Sequence, residues 1–210
     1  MILNDSQYKA VHSESKLVSV VAGAGAGKTR VLVEAIVNLI NKGVDPHKIL
    51  AITFTKKAAR EARDRVQNDR VIVCTIHSWC MKILRQYNKK LTIWDDDDVG
   101  RALKVILKRH NMKYEADIKS SIDYSVNVMK PIPPAIQHIY KEYRSYMEHC
   151  NAVDFTHMLQ VTYEMLKEEH IRVCLQDTYQ YVLVDEYQDV SKIQHEIIMA
   201  MKGKYLFAGD

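Results

Sequence analysis

Short apolar, β-branched runs punctuate the chain at residues 17–22, 49–53, 71–75, 181–184 and 205–208. Their apolar character is continuous rather than alternating, which predicts strands buried on both faces of a parallel sheet. The first two are followed by helix-patterned stretches at 28–42 and 57–66. This βαβα rhythm predicts a doubly wound α/β domain. The rhythm stops near Tyr87 and resumes near Tyr181. Between them Val99, Ala102, Leu103 and Ile106 share one helical face. Ile136, Ile139, Tyr140, Tyr143 and Met147 form a second stripe behind Pro133 and Pro134, which suit a helix N-terminus. A third helix is expected to start from Asp154 as N-cap and to run to Glu168. The expected organisation is an α/β domain, residues 1–88 plus 151–210, interrupted by a helical insertion at 89–150.

Composition narrows this little. The 210 residues are 47% hydrophobic and 27% charged, which excludes disorder as the main state. Thirty basic against 26 acidic residues give +4, a balance that permits a polyanionic partner without demanding one. No apolar run approaches the ~20 residues that span a bilayer. The first residues lack a basic-then-apolar signal pattern. A cytoplasmic protein without a membrane partner is expected. Cys74, Cys80, Cys150 and Cys174 form no CxxC pair. Cys74-x2-His77-x2-Cys80 has metal-like spacing but no obvious fourth ligand. The acidic run Asp95–Asp98 reads as helix N-terminal charge complementing the dipole, in preference to a metal site.

Candidate chemistry sits at two strand ends. Three of the seven glycines fall in Ala22-Gly23-Ala24-Gly25-Ala26-Gly27-Lys28-Thr29, between a strand run and a helix run. Such a loop aims backbone N–H groups at an anion beside a helix N-terminus. Lys28 would reach the β- and γ-phosphates and Thr29 would ligate Mg²⁺. Arg30 is placed either against the nucleotide or on the helix surface. At the second strand end, Tyr181-Val182-Leu183-Val184 runs into Asp185-Glu186-Tyr187-Gln188-Asp189. Brought beside the loop, Asp185 could hold Mg²⁺ through water and Glu186 could act as general base on water.

With these residues in place, the chain resembles the N-terminal part of UvrD/Rep/PcrA-type DNA helicases of superfamily one. The Asp-Glu-Tyr-Gln-Asp string separates that family from other phosphate-loop NTPases. Leu3-Asn4-Asp5-Ser6-Gln7 resembles its Q motif, which implies that Gln7 reads the adenine edge. The segments 51–59, 74–78 and 207–210 resemble motifs Ia, Ib and the first half of III. Asp154-Phe155 resembles the acid–Phe pair that follows the inserted subdomain. Lys56, Ile76 and Val190 stand where the family usually has Asn, Phe and Thr.

The resemblance implies a RecA-like phosphate-loop sheet with a helical insertion, ATP and Mg²⁺ as cofactors, and single-stranded DNA and duplex junctions as partners. It assigns Thr53, Phe54, Thr55, Lys56, Thr75, His77 and Ser78 to the DNA channel, with Lys57, Arg60 and Arg63 extending a basic strip. It gives Gln188 the coupling of γ-phosphate state to DNA. It further implies that a second RecA-like motor domain is absent, with its arginine fingers, worth ~10³–10⁵ in rate. Two functions are therefore expected of this chain. One is the ATP-binding half of a 3′-to-5′ helicase or translocase. The other is an ATP- and partner-binding module without turnover of its own. A small-molecule kinase leaves the segments 53–59 and 187–189 unexplained.

Overall fold

The computed structural model describes residues 3–23, 25–112 and 116–210. Two compact units emerge, Met1–Ser78 with Leu166–Val190 and Ile198–Asp210, and Trp79–Met165 with Ser191–Ile197.

The first unit holds a parallel five-stranded sheet of RecA-like α/β architecture. Its strands are β1 (Leu17–Val21), β2 (Ile49–Thr53), β3 (Ile72–Thr75), β6 (Tyr181–Val184) and β7 (Lys204–Gly209), in the order β1-β7-β6-β2-β3. Three helices, α1 (Asp5–His12), α2 (Lys28–Asn41) and α3 (Lys56–Val66), pack with one sheet face. Their shared core includes Val31, Leu32 and Ile36 of α2, Ala59 and Ala62 of α3, and Ile49, Ala51, Leu183 and Ala208 of the sheet.

Two of these helices, α1 and α3, begin at side-chain caps. Asn4 accepts from the Gln7 N–H at 2.8 Å, and the Gln7 side chain accepts from the Asn4 N–H at 3.1 Å, a reciprocal capping box. Thr55 Oγ1 accepts from the Ala58 N–H at 3.0 Å to open α3. Arg63 then donates to the Val73 carbonyl at 2.8 Å, tying α3 to β3.

The expected burial on both faces holds for β2, where every residue is buried, and fails for β1. Among the described residues β1 is an edge strand paired with β7 alone. Val18 and Val20 lean on the core, whereas Leu17 and Val21 are 54% and 75% exposed.

The second unit is mainly helical. The boundary falls within α4 (Ile76–Tyr87); the unit then takes in α5 (Asp96–Arg109), α6 (Ala116–Asn127), α7 (Gln137–His149) and α8 (Phe155–Met165). The expected insertion at 89–150 lies inside it. The unit is wider at both ends because β4 (Thr92–Ile93) pairs with β5 (Ala152–Val153), and α8 packs on α6. The acidic run opens α5: Asp95 accepts from the Asp98 N–H at 2.9 Å, and Asp98 returns the bond to the Asp95 N–H. The two predicted stripes face inward, with Leu103, Ile106, Ile139, Tyr143 and Met147 fully buried. Pro134 opens a 3₁₀ turn to Ile136, one turn ahead of α7, so Ile136 is only half-buried.

Beneath α8 lies a polar network. Asp154 caps the helix through the His157 N–H at 2.6 Å, accepts the Tyr143 hydroxyl at 2.7 Å and sits 3.2 Å from Lys119 Nζ. The remaining helices are α9 (Glu169–Gln176) in the first unit and α10 (Lys192–Met199), which spans a unit boundary. No described helix is long and apolar enough to cross a membrane.

Candidate functional site

The ends of β1, β7 and β6 converge because these strands are parallel neighbours. The loop after β1 turns sharply. Ala22 N–H still bonds Gly209 O, and Ala26 N–H bonds Gly23 O at 3.2 Å. Gly25 and Gly27 are left-handed, at φ 76° and 87°. Gly27 caps α2, where a β-carbon would also press on Gln7 Nε2 at 3.1 Å. Around Gly23 and Gly25 a β-carbon would meet nothing within 4 Å, so the mouth of the loop is open. Ala24 lies outside the described residues; Ala22 and Ala26 flank the mouth.

Lys28 is only 7% exposed. Its ammonium donates to Ala22 O at 2.8 Å, pairs closely with Asp210, and lies 4.0 Å from Glu186 Oε2. The Asp210 hydrogen bond holds the amine above the usual lysine range. Beside it Thr29 Oγ1 donates to Asp185 Oδ2 at 2.8 Å. Asp185 is buried, and burial raises its carboxyl above the usual range despite that bond.

Glu186 follows with φ 51°, an uncommon conformation for a residue with a side chain. That turn lifts its carboxylate out to 41% exposure. Gln188 then joins two strand ends: its Nε2 donates to Glu186 Oε2 at 2.8 Å, and its Oε1 accepts from the Asp210 N–H at 3.2 Å. A β-carbon at Gly209 would sit 2.7 Å from Gln188 Oε1, so the amide would have to shift from this bridge. Tyr187 stacks on Phe207 with centroids 4.1 Å apart, pinning the same turn to β7.

This site suits a magnesium-bound polyphosphate. The loop mouth is open, the cation of Lys28 is at its base, and Thr29 and Asp185 offer only hard oxygen ligands, as Mg²⁺ prefers. Gln7 has a further task. Its Nε2 donates to Ala26 O at 3.1 Å while its Oε1 closes the α1 capping box, so it braces the phosphate loop from α1. Arg30 is half-buried on α2.

The residues expected on DNA divide into two groups. Phe54 is 58% exposed, and Thr55, Lys56 and Ser78 are exposed with it. Thr53 and Thr75 are buried. The Thr53 hydroxyl donates to Thr55 O at 3.1 Å, and Thr75 Oγ1 bonds Ser78 Oγ at 2.9 Å and accepts from the Ser78 N–H. His77 is half-buried, and burial lowers its pKa. Among the described residues no three His, Cys, Asp or Glu side chains gather as a metal site, so Cys74, His77 and Cys80 do not form one.

A profile of the UvrD/REP helicase N-terminal domain matches residues 3–210. The chain belongs to that family. Among similar UvrD/REP proteins, a probable DNA helicase II homolog of Mycoplasma capricolum is 34% identical over 94% of this chain and 32% of its own length. The ATP-dependent DNA helicases PcrA of Staphylococcus aureus and Staphylococcus epidermidis are each 30% identical over 97% of this chain and 32% of theirs. The UvrD/REP chain described here thus spans about a third of the length of the curated relatives it matches. Sequence reasoning passed over Asp210 as a site residue. The signal available was the likeness of 207–210 to motif III, which carried no role for Asp210, and nothing in the sequence states that β7 lies next to β1.

Proposed function

We propose that this chain is the ATP-binding N-terminal half of an ATP-dependent helicase or translocase that moves 3′-to-5′ on single-stranded DNA. In this reading the first unit is the RecA-like ATP-binding domain, and the second carries the helical insertion at 89–150. One observation carries the proposal: a buried Lys28 and its neighbour Thr29 meet Asp185, Glu186 and Asp210 at the ends of three adjacent strands.

Residues Ala22–Thr29 hold the phosphates through backbone N–H groups and Lys28. Thr29 and Asp185 would hold Mg²⁺, which supplies positive charge to the phosphate oxygens when bound. Glu186, half-exposed and oriented by Gln188, takes the proton of the attacking water. Gln188 also bonds the backbone of Asp210, so a shift at the γ-phosphate is passed to β7. Gln7 positions the loop and presents its remaining amide capacity to adenine. Arg30 supports the nucleotide side of α2. Phe54 offers a face for base stacking, with Thr55, Lys56, His77 and Ser78 toward the DNA backbone. Thr53 and Thr75 shape the strand ends that carry them.

The second reading is a nucleotide- and partner-binding module without turnover of its own. Nucleotide binding and ATP turnover by this chain, with and without single-stranded DNA and beside Lys28→Ala, test both. The expected outcome is Mg²⁺-dependent ATP binding that Lys28→Ala abolishes, with turnover near background. Robust DNA-stimulated turnover would overturn the half-motor reading, and absence of nucleotide binding would overturn the site itself.

A further inference from the structure

Residues 71–94 contain the basic side chains Lys82, Arg85, Lys89 and Lys90 and no aspartate or glutamate. The chain has 30 basic and 26 acidic residues, so this stretch accounts for its whole excess of +4. The fold gathers that charge on one face. Trp79, Cys80, Met81, Ile83 and Leu84 of α4 are buried, whereas Ser78, Lys82 and Arg85 are exposed. Positions four and then three residues apart stack along one side of a helix. Lys89 and Lys90 follow, exposed, in the turn that closes α4.

No carboxylate neutralises these bases. Of the helical unit's arginines, Arg101 pairs with Asp98, Arg109 with Glu142 and Arg144 with Glu164. Among the described residues Arg85, Lys82, Lys89 and Lys90 enter no ion pair. A solvated helix face ordinarily mixes both signs, and like charges three or four residues apart destabilise a helix. Complementing the helix dipole accounts for Arg85 in the last turn, but not for Lys82 or the missing acids. An anion from outside the chain supplies the absent charge.

We propose that this face of α4 holds the phosphates of a single DNA strand running on from Ser78, with Lys82 and Arg85 as its central contacts and Lys89 and Lys90 at the far end. The inference rests on the DNA reading above and extends the contacts beyond Ser78. That Ser78 shares the face selects a DNA strand over an acidic protein as the occupant. From Ser78 to Arg85 the helix rises about 10 Å, room for about three phosphates of a stacked strand.

Binding of a labelled thymidine oligonucleotide of about fifteen nucleotides by the 210-residue chain, followed by anisotropy across a salt series, tests this. One variant combines Lys82→Gln with Arg85→Gln. A control combines Lys108→Gln with Lys141→Gln, two exposed bases elsewhere on the helical unit that also lack an ion pair among the described residues. Losing two phosphate contacts should lower the slope of log K against log salt by about 1.4, so the native chain's advantage shrinks about sevenfold between about 50 and 200 mM salt. The control should keep the native slope, and both variants should melt with the native chain. A native slope in the α4 variant, beside weaker binding by Phe54→Ala, would overturn this inference and leave the DNA reading standing. An equal fall in the control would assign the effect to diffuse attraction and overturn it too. So would a slope change confined to the duplex formed with the adenosine complement. No binding of DNA by the native chain would overturn both readings.

Discussion

Tyr143→Phe removes one oxygen from the interior of the helical unit. Tyr143 is 1% exposed and Asp154 3%. The deleted hydroxyl is a 2.7 Å donor to Asp154 Oδ2, leaving that oxygen with Lys119 at 3.2 Å. Hydrogen bonds to charged groups contribute about 1.5–3 kcal/mol, and burial places this one toward the middle of that range, about 2 kcal/mol. Asp154→Ala removes the same bond and also the cap on His157, which adds about 1 kcal/mol, so about 3 kcal/mol is expected. The chain's two tryptophans, Trp79 and Trp94, both belong to this unit. Urea unfolding followed by tryptophan fluorescence therefore reports its stability separately from the sheet. The midpoint should fall in Tyr143→Phe and further in Asp154→Ala, with the slope unchanged. A loss below about 0.5 kcal/mol for Tyr143→Phe would refute the claim that this network supports the unit, since that is the scale of an ordinary surface substitution.

Acidification should weaken the same unit through His157. Burial holds its folded pKa below the ordinary 6.5, so the unfolded chain binds the extra proton first as pH falls. Stability should be complete above about pH 7 and decline below pH 6.5, by at most about 1.4 kcal/mol per pH unit, with His157→Gln flattening the decline. Asp185→Asn should stabilise the nucleotide-free chain by about 1 kcal/mol, because a buried charge is removed while Thr29 keeps an acceptor. The same variant should lose Mg²⁺-dependent nucleotide binding, as calorimetry would register; unchanged binding would remove Asp185 from the metal site. Phe54→Ala should weaken single-stranded DNA binding by about 1–3 kcal/mol in an anisotropy titration without lowering the melting temperature. Lys56→Ala should reduce the slope of log K against log salt by about 0.7 if its ammonium meets a phosphate.

Much of the sheet is legible in the sequence because strands buried on both faces need continuous apolar runs, and β2, β6 and β7 have them. Their order is not legible. It depends on which distant segment pairs with which, and the pairing of Lys28 with Asp210 depends in turn on that order. Strand β1 carries the same apolar signature at the sheet edge, where the signature does not distinguish position. The two-residue strands β4 and β5 are too short to leave a pattern. Thr53 and Thr75 illustrate a different limit. A threonine at a strand end satisfies its hydroxyl locally as readily as it offers it to a ligand, and only the geometry separates the two. The phosphate loop was readable for the opposite reason: backbone angles, cation and hydroxyl must occur in one order, and few other structures require that order.

In the proposed nucleotide site, the ties on Lys28 would act as a threshold for anions. An arriving ligand must displace carboxylate and carbonyl oxygens that already neutralise the ammonium, so a single weak charge gains little by entering. Inorganic phosphate and chloride would thereby be disfavoured at the resting loop. A chain of phosphates that met the backbone amides first would approach with its binding already begun, and Lys28 would transfer to it last.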